Sequence, residues 1–340
     1  MTIALGLGIG TQNSKGEWLE TFFPEPLFQP SAETTKDLQQ ALSITSGNST
    51  TELSVEQLQT IAATDSVAPS LKNLAARFVD SQQLAVLVVI EEDLTATSTP
   101  EVYLKLHLLS HRLVKPHGIN LDGIFGLLPN LAWTNKGPID LEELAEQQLA
   151  ARLNGEIIEV KSVDKFPQMT DYVVPTGVRI ADTARVRLGA YIGSGTTIMH
   201  EGFVNFNAGT EGTSMIEGRI SAGVMIGSGS DLGGGCSTMG TLSGGGNIII
   251  AVGDNSLIGA NAGIGIPLGD RCTVESGLYI TAGTKVPLLD SDNQVVESVK
   301  ARELAGKPDL LFRRNSENGR VECLTNKTAI ELNEALHANN

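Results

Sequence analysis

Cysteine is scarce: the 340 residues hold three, Cys236, Cys272 and Cys323. They are odd in number, widely spaced and form no CxxC, which excludes a disulfide framework and offers no zinc-site spacing. A reducing cytoplasm is the expected compartment. Long apolar runs are missing as well. None reaches the roughly 18 residues of a membrane span, so no membrane partner is expected. The opening MTIALGLGIG lacks a basic leader and a small-residue cleavage site, and is not read as a secretion signal. Basic residues are few, 24 Lys and Arg against 39 Asp and Glu, for a net charge of -15. That balance argues against a nucleic-acid partner, which calls for a basic face. It favours solubility and still allows a small anion held by a few local Arg and Lys.

The length suffices for two or three domains and a substantial core. Residues 1–172 read as a mixed α/β domain. Leu84–Ile90 (LAVLVVI) is a short β-branched run expected to be a buried strand. Ser54-Val-Glu-Gln57 and Asp140-Leu-Glu-Glu143 have capping-box spacing. Thr99-Pro100 reads as an N-cap followed by a first-turn proline. The helix from Asp140 is expected to stop at Asn154-Gly155, where a left-handed residue is needed. Leu5-Gly-Leu-Gly-Ile-Gly10 lacks GxGxxG spacing and no apolar helix follows, so it reads as a strand and not a dinucleotide loop.

At about Pro175 the composition changes. Between Gly177 and Gly283 lie 25 of the 37 glycines and no lysine. Ile180, Val186, Ile192, Ile198 and Val204 recur every six residues. Four residues after each comes a small one: Ala184, Ala190, Thr196, Gly202 and Ala208. Further phases run from Ile220 to Leu232, from Val252 to Ile264 and from Leu268 to Val286. This period fits neither a helix nor a simple strand. It suits a coil of short flat strands joined by tight corners, with the aliphatic residue inside and the small residue at the bend. Three hexads then close a triangular turn, and stacked turns share one core. The domain is assigned to 173–288.

The repeat is interrupted twice. Thr210–Arg219 shifts the frame, and Thr238–Ala251 is an insertion, expected to be a loop on a functional edge. Residues 289–340 form a third region. Leu310-Leu-Phe312 is expected to pair as a strand, followed by Arg313-Arg314-Asn315-Ser316 and a turn at Asn318-Gly319. Asn326–Leu336 has a helical apolar pattern. This tail is expected to cap the open end of the coil.

The hexads resemble the left-handed parallel β-helix of the hexapeptide-repeat acyltransferases. MHEGFVNFNAGTEG, MIEGRISAG, DLGGGCSTMGTLSGGG, LIGANAGIGI, ESGLYITAGT and LLFRRNS resemble the long-chain tetrahydrodipicolinate N-succinyltransferase family. The resemblance implies transfer of succinyl from succinyl-CoA to the amine of tetrahydrodipicolinate, on the diaminopimelate–lysine route. It implies a homotrimer with active sites between neighbouring coils. It makes Glu217 the catalytic carboxylate and Arg219 a contact to the CoA thioester. It sets Gly234, Ser237, Ala260, Glu275, Ser276 and Gly283 along the succinyl-CoA groove, with Lys300, Arg313, Arg314, Asn315 and Ser316 at the CoA end. Glu201 matches a carboxylate that meets its symmetry mates on the trimer axis and holds Mg²⁺. Where some relatives have a further metal-linked Asp, this chain has Ala184.

Acyl transfer from a thioester needs an unprotonated amine, a stabilised oxyanion and a held donor. Glu217 suits a base on the amine or on water, or a nucleophile forming an anhydride; it also suits a loop carboxylate paired with Arg219. Gly233-Gly-Gly235 and Gly244-Gly-Gly246 offer bare backbone N–H groups to the thioester, or simply make corners. Asn205 and Asn207 alternate on a strand and face one side, as ligands for substrate carboxylates or as an amide ladder. His200, the lone histidine of the repeats, reads as an inward, packed residue. Three copies of Glu201 would repel until a hard cation or shared protons relieved them. Lys300, Arg313 and Arg314 suit CoA phosphates.

Other functions are weighed on the same residues. An acyltransferase acting on an amino sugar would rest on a catalytic His, which only His200 could supply. A metal-dependent hydratase on this coil would need several His ligands. A purely structural solenoid would keep its hexads regular.

Overall fold

The computed structural model describes residues 2–240 and 248–325. The expected helix Asn326–Leu336 and the Gly244–Gly246 run lie outside the described residues. The chain divides into two compact units. One comprises 1–108, 118–167 and 171–173; the other comprises 109–117, 168–170 and 174–340.

The first unit is built on a five-stranded sheet. Ala4–Gln12 is flanked by Trp18–Phe22 and Leu84–Ile90, and Ser49–Leu53 lies outside the latter, all antiparallel. Leu5, Leu7, Leu87 and Val89 alternate onto one face. There they bury against Leu38, Leu58, Ile61, Leu71 and Leu74 of three helices, Ala32–Leu42, Val55–Ala63 and Pro69–Phe78. The LGLGIG stretch is thus a strand. Its glycines admit close neighbours, since a β-carbon on Gly6 would lie 2.6 Å from the Phe23 ring and 2.7 Å from Leu104.

The Ser54 capping box is reciprocal, with Gln57 N–H to Ser54 Oγ at 3.3 Å and Ser54 N–H to Gln57 Oε1 at 2.9 Å. At Asp140 only half a box forms. Its carboxylate accepts from the Glu142 N–H at 2.9 Å, whereas Glu143 accepts from the backbone of Ser14 at 2.8 Å. Thr99 is inside its helix, not the cap. Ser98 Oγ accepts from the Glu101 N–H at 3.3 Å, and the Thr99 hydroxyl donates to the Leu127 carbonyl at 2.9 Å. A proline at the second position leaves either residue sterically acceptable, so spacing alone misplaced the cap by one. Gly155 has φ 76°, as its terminator role requires.

The second unit is a coil of parallel strands forming three sheets. Ala190–Ile192, Ala208–Thr210, Met225–Ile226 and Ala251–Val252 form the first. The second runs from Arg179–Ile180 through Thr196–Ile198, Ser214–Ile216, Asp231–Leu232, Leu257–Ile258 and Thr273–Val274. The third stacks Phe203–Val204, Arg219–Ile220, Ser237–Thr238, Gly263–Gly265 and Tyr279–Thr281. Ala190 pairs with Ala208 and Thr196 with Ser214, three hexads on. The aliphatic column, Ile192, Ile198, Val204, Ile216, Ile220, Ile226, Ile258, Ile264, Val274 and Ile280, is fully buried.

The bend is one residue earlier than the small-residue pattern suggests. Left-handed angles fall three residues after the aliphatic one, at Gly195, Asn207, Gly223, Gly229, Gly235, Asn255, Asn261 and Gly277. Gly and Asn tolerate that region. The small residue that follows, such as Ala190, Ala208, Ser230 or Cys236, is buried as it enters the next strand.

The frame shift also sharpens. Thr210 and Ile216 keep the phase, both fully buried. Thr210 points inward and is satisfied by Thr196 Oγ1 at 2.7 Å and the Gly193 N–H at 3.1 Å. The shift is a single shortened step from Ile216 to Ile220, which makes Met215 pair with Asp231 two residues early. A second short step joins Ile264 to Leu268.

Beyond Thr273–Val274 the second sheet continues with Leu310–Arg314, which pairs parallel to it and buries Phe312 completely. The strand includes Arg313 and Arg314. It turns at Gly319, φ 76°, into the antiparallel Val321–Thr325. A further hairpin pairs Lys285–Leu289 with Val295–Lys300.

Candidate functional site

Each corner that leaves the second sheet stacks on the same corner of the next turn. Backbone N–H groups make the rungs: Met199 to the Ile216 carbonyl, Glu217 to Leu232, Gly233 to Ile258, Gly259 to Val274 and Glu275 to Phe312, at 2.8–2.9 Å. Glu201, Glu217, Gly234, Ala260, Glu275, Ser276 and Arg313–Ser316 therefore occupy one row along the coil. Residues scattered over more than a hundred positions of sequence become successive steps of a ladder.

The Glu217 corner is the shortened one. Gly218 permits it, because a β-carbon there would strike the Cys236 sulfur and lie 2.8 Å from the Cys236 carbonyl. Glu217 is half-buried and its carboxylate leans toward the next turn. A β-carbon on Gly234 would lie 3.4 Å from Oε2. Among the described residues no ion pair joins Glu217 to Arg219, so the loop-pair reading does not describe this carboxylate. Beneath both, burial pushes the Cys236 thiol up to about 12, and the Glu217 charge pushes the same way against the pull of Arg219. That sulfur is a neutral packing group.

The glycines of this row leave main chain uncovered. A β-carbon on Gly233 would sit 2.7 Å from the Ala260 nitrogen, and one on Gly259 would sit 2.6 Å from the Ser276 nitrogen. Of the three N–H groups in Gly233–Gly235, two are used. Gly233 donates to Ile258 and Gly235 to the Glu217 carbonyl. Only the Gly234 N–H meets no acceptor among the described residues, and it adjoins Glu217. Gly244–Gly246 lie outside the described residues.

Arg219 and Ser237 are register partners on the third sheet, one strand on from this row. Gly283 and Lys300 form a separate pair. The loop around Gly283 accepts from the Ala301 N–H (Thr284 carbonyl, 2.8 Å) and the Arg302 N–H (Ala282 carbonyl, 3.2 Å). They follow the third sheet, so within one chain its width separates them from Glu217. Lys285, not singled out from sequence, is the register partner of Lys300.

At the far end the Arg314 N–H donates to Glu275 Oε2 at 2.6 Å, and its guanidinium reaches the Gly319 carbonyl at 3.2 Å. Arg313 donates to Asn293 Oδ1 at 2.9 Å and approaches Glu322 at 3.5 Å. Glu322 is buried and also accepts from Asn315 at 2.8 Å. No sequence pattern marked Glu322; strand pairing alone brings it under Arg313.

Two expectations need correction. His200 is exposed at its corner, not inward, because the strand Thr196–Ile198 has ended and the turning chain no longer follows its alternation. Asn205 and Asn207 lie on a corner, not a strand. Asn205 Oδ1 accepts from Arg187 at 3.1 Å and from the Phe206 N–H at 2.9 Å. Asn207, at φ 53°, accepts from the His117 N–H at 2.9 Å. Both amides hold structure. Glu201 is exposed at the same corner as His200, as a carboxylate meeting symmetry copies would have to be.

Among the described residues of the first unit no such stack of parallel corners occurs. No helix of the described residues is long and apolar enough to cross a membrane.

Residues 36–126 match the tetrahydrodipicolinate N-succinyltransferase N-terminal family, residues 128–168 its middle family, and residues 249–282 the hexapeptide repeat of succinyl-transferase. The chain is 67% identical over 338 residues to a 2,3,4,5-tetrahydropyridine-2,6-dicarboxylate N-succinyltransferase of Pseudomonas paraeruginosa, covering 99% of this chain and 98% of that one. It is 59% identical over 341 residues to the Vibrio cholerae protein of the same name, covering 99% of each. A solved Campylobacter jejuni chain, provisionally named 2,3,4,5-tetrahydropyridine-2-carboxylate N-succinyltransferase, superposes with a TM-score of 0.88 at 32% identity, over 97% of this chain and 93% of that one.

Proposed function

This chain belongs to the tetrahydrodipicolinate N-succinyltransferase family, and we propose that it works through Glu217 and the corner row above it. The reaction moves succinyl from succinyl-CoA to the ring nitrogen of tetrahydrodipicolinate. The thioester bond breaks, an amide forms, water adds across the imine, and the ring opens to N-succinyl-2-amino-6-oxopimelate with release of CoA. It is a step of diaminopimelate and lysine biosynthesis.

One observation carries the site assignment: Glu217, Gly233, Gly259, Glu275 and Arg313 take the same place at one corner of successive turns, with Gly234, Ala260, Ser276 and Arg314 next to them. An extended donor laid along that row has its thioester at Glu217 and its phosphates at Arg313–Ser316. The Gly234 N–H is the donor for the developing oxyanion. Arg219 and Ser237 flank the thioester. Glu217 either takes a proton from the amine or attacks the carbonyl carbon to form an anhydride; a rapid-quench search for succinylated protein separates the two.

Gly283 and Lys300 sit one sheet-width away, which fits a groove shared by neighbouring coils of a left-handed helix in a homotrimer. There they face the donor held on a partner's row. Residues 289–340 supply the CoA end, and the enzyme works in the cytoplasm. One exposed Glu201 per chain is a single oxygen ligand, too little for Mg²⁺. Three copies on an axis make a fitting donor set that would order the assembly.

The test is CoA release with tetrahydrodipicolinate and succinyl-CoA or acetyl-CoA in parallel, beside sedimentation for mass. Turnover confined to succinyl-CoA in a trimer is the expected result. No thiol release with either donor would overturn the reading.

A further inference from the structure

The outward face of the third sheet carries a column that the row above does not use. Arg219, Ser237, Gly263 and Tyr279 are register partners on successive turns. Each precedes a buried residue, Ile220, Thr238, Ile264 and Ile280, so strand alternation turns all four outward. Gly263 leaves a gap in that column, and the Tyr279 ring fills it. The three atoms nearest to a β-carbon built on Gly263 are all ring atoms of Tyr279, Cδ1, Cε1 and Cζ. The ring thus lies back over the preceding turn. It nonetheless remains 50% exposed, a flat apolar surface with a hydroxyl at its tip.

Its level along the coil identifies what it would meet. Tyr279 belongs to the turn of Ser276, and Gly263 to the turn of Ala260. The ring therefore stands beside the stretch between Ala260 and Ser276. That is the middle of the proposed donor groove, between Glu217 and Arg313–Ser316. The middle of an acyl-CoA is the pantetheine arm, a chain of methylenes broken by two amides. An aromatic wall suits the methylenes, and a phenol hydroxyl suits an amide.

We propose that Tyr279, seated on Gly263, is a binding residue for the pantetheine arm of the acyl donor. This rests on the reading of the Glu217 row as the donor groove. Substituting Gly263 offers a lever on the ring, because the three atoms nearest to an added methyl all belong to the Tyr279 side chain.

The experiment uses the full-length protein and calorimetric titration with CoA and with 3′,5′-ADP, which lacks the arm. Steady-state kinetics with succinyl-CoA and the amine acceptor run alongside. Tyr279→Ala is expected to weaken CoA binding and raise KM for succinyl-CoA about tenfold, the loss of one well-packed apolar contact. Binding of 3′,5′-ADP and KM for the acceptor should not move. Gly263→Ala should shift CoA binding in the same direction, and the double variant should be no worse than Tyr279→Ala alone. CoA binding by Tyr279→Ala within twofold of wild type would overturn the proposal. So would an equal loss for 3′,5′-ADP, or full additivity of the two substitutions. Wild-type protein that binds no CoA would remove the donor-groove reading itself, and the proposal with it.

Discussion

The carboxylate of Glu217 reaches toward Gly234 on the following turn, where an added β-carbon would sit 3.4 Å from Oε2. That distance is ordinary contact, so Gly234→Ala should fold. It should nevertheless crowd the space a thioester carbonyl needs and turn the local N–H. Glu217→Gln keeps the shape and removes the charge. It should lower kcat by about 10²–10⁴-fold, the usual yield of a positioned acid or base, with CoA affinity unchanged by calorimetry. Equal turnover in Glu217→Gln would remove this carboxylate from the chemistry.

Gly218 is a different case. A methyl there meets the Cys236 carbonyl and sulfur and, at 3.2 Å, the Gly233 carbonyl. Backbone cannot step aside as a side-chain end can. Gly218→Ala should therefore cost about 1–3 kcal/mol, the range for overpacking, measured by urea unfolding. Cys236→Ala should restore part of that loss, since it removes one of the three obstacles.

Lys105 tests the first unit. Its ammonium is fully buried, donating to Asp93 Oδ1 at 3.1 Å and to the Leu94 and Asn120 carbonyls at 2.7 and 2.8 Å. Lys105→Met would leave those acceptors without a donor. About 1–3 kcal/mol should be lost, the cost of leaving buried acceptors unsatisfied, since Asp93 itself stays partly exposed. A thermal scan showing no shift would mean that water replaces the ammonium.

Glu20 should give the first unit a pH signature. Burial raises its pKa, opposed by hydrogen bonds from Thr11 at 2.9 Å and Tyr172 at 3.1 Å. The folded state thus holds the proton more tightly than the unfolded chain. The stabilisation is complete below the ordinary glutamate value of 4.5 and is lost as pH rises through the raised folded value. Urea midpoints of wild type relative to Glu20→Gln should fall across that window and then level off. A relative midpoint that rises with pH would contradict the burial effect.

The cysteines should be silent. All three are free and buried, and burial pushes the Cys236 and Cys323 thiols up to about 12. Reactivity needs thiolate and access. Native protein should therefore react with an aromatic disulfide reagent only over hours, and three thiols should appear in guanidinium. A fast-reacting thiol in the native state would show that a described cysteine opens.

Much of the coil was legible because its core obeys one simple rule. An aliphatic residue every sixth position can be read directly, since each inward place must be filled. The corner chemistry was read less well. Ala, Ser, Cys and Thr mark the residue after the bend, so the small-residue pattern points one position past Asn207, Asn255 and Asn261, which make it. Thr210 reads as a break because it puts a hydroxyl where the repeat has an aliphatic side chain; its partner Thr196 lies in the previous turn. In the first unit, Ser54 and Gln57 could be paired from spacing because both groups belong to one helical turn. Glu143 could not, because its partner Ser14 is far away in sequence.

By itself the sequence determined the coil, the interruption holding Glu217, the acidic balance and the family resemblance, all of which depend on residue type and spacing along the chain. Only the tertiary structure decided that Glu217 meets Gly234, that Gly218 rests on Cys236, that Glu322 lies under Arg313 and that Tyr279 covers Gly263. Those pairs form across stacked turns or strand partners. Which residues meet is set by hydrogen-bond register and by the length of each turn, and a step two residues short moves every later partner.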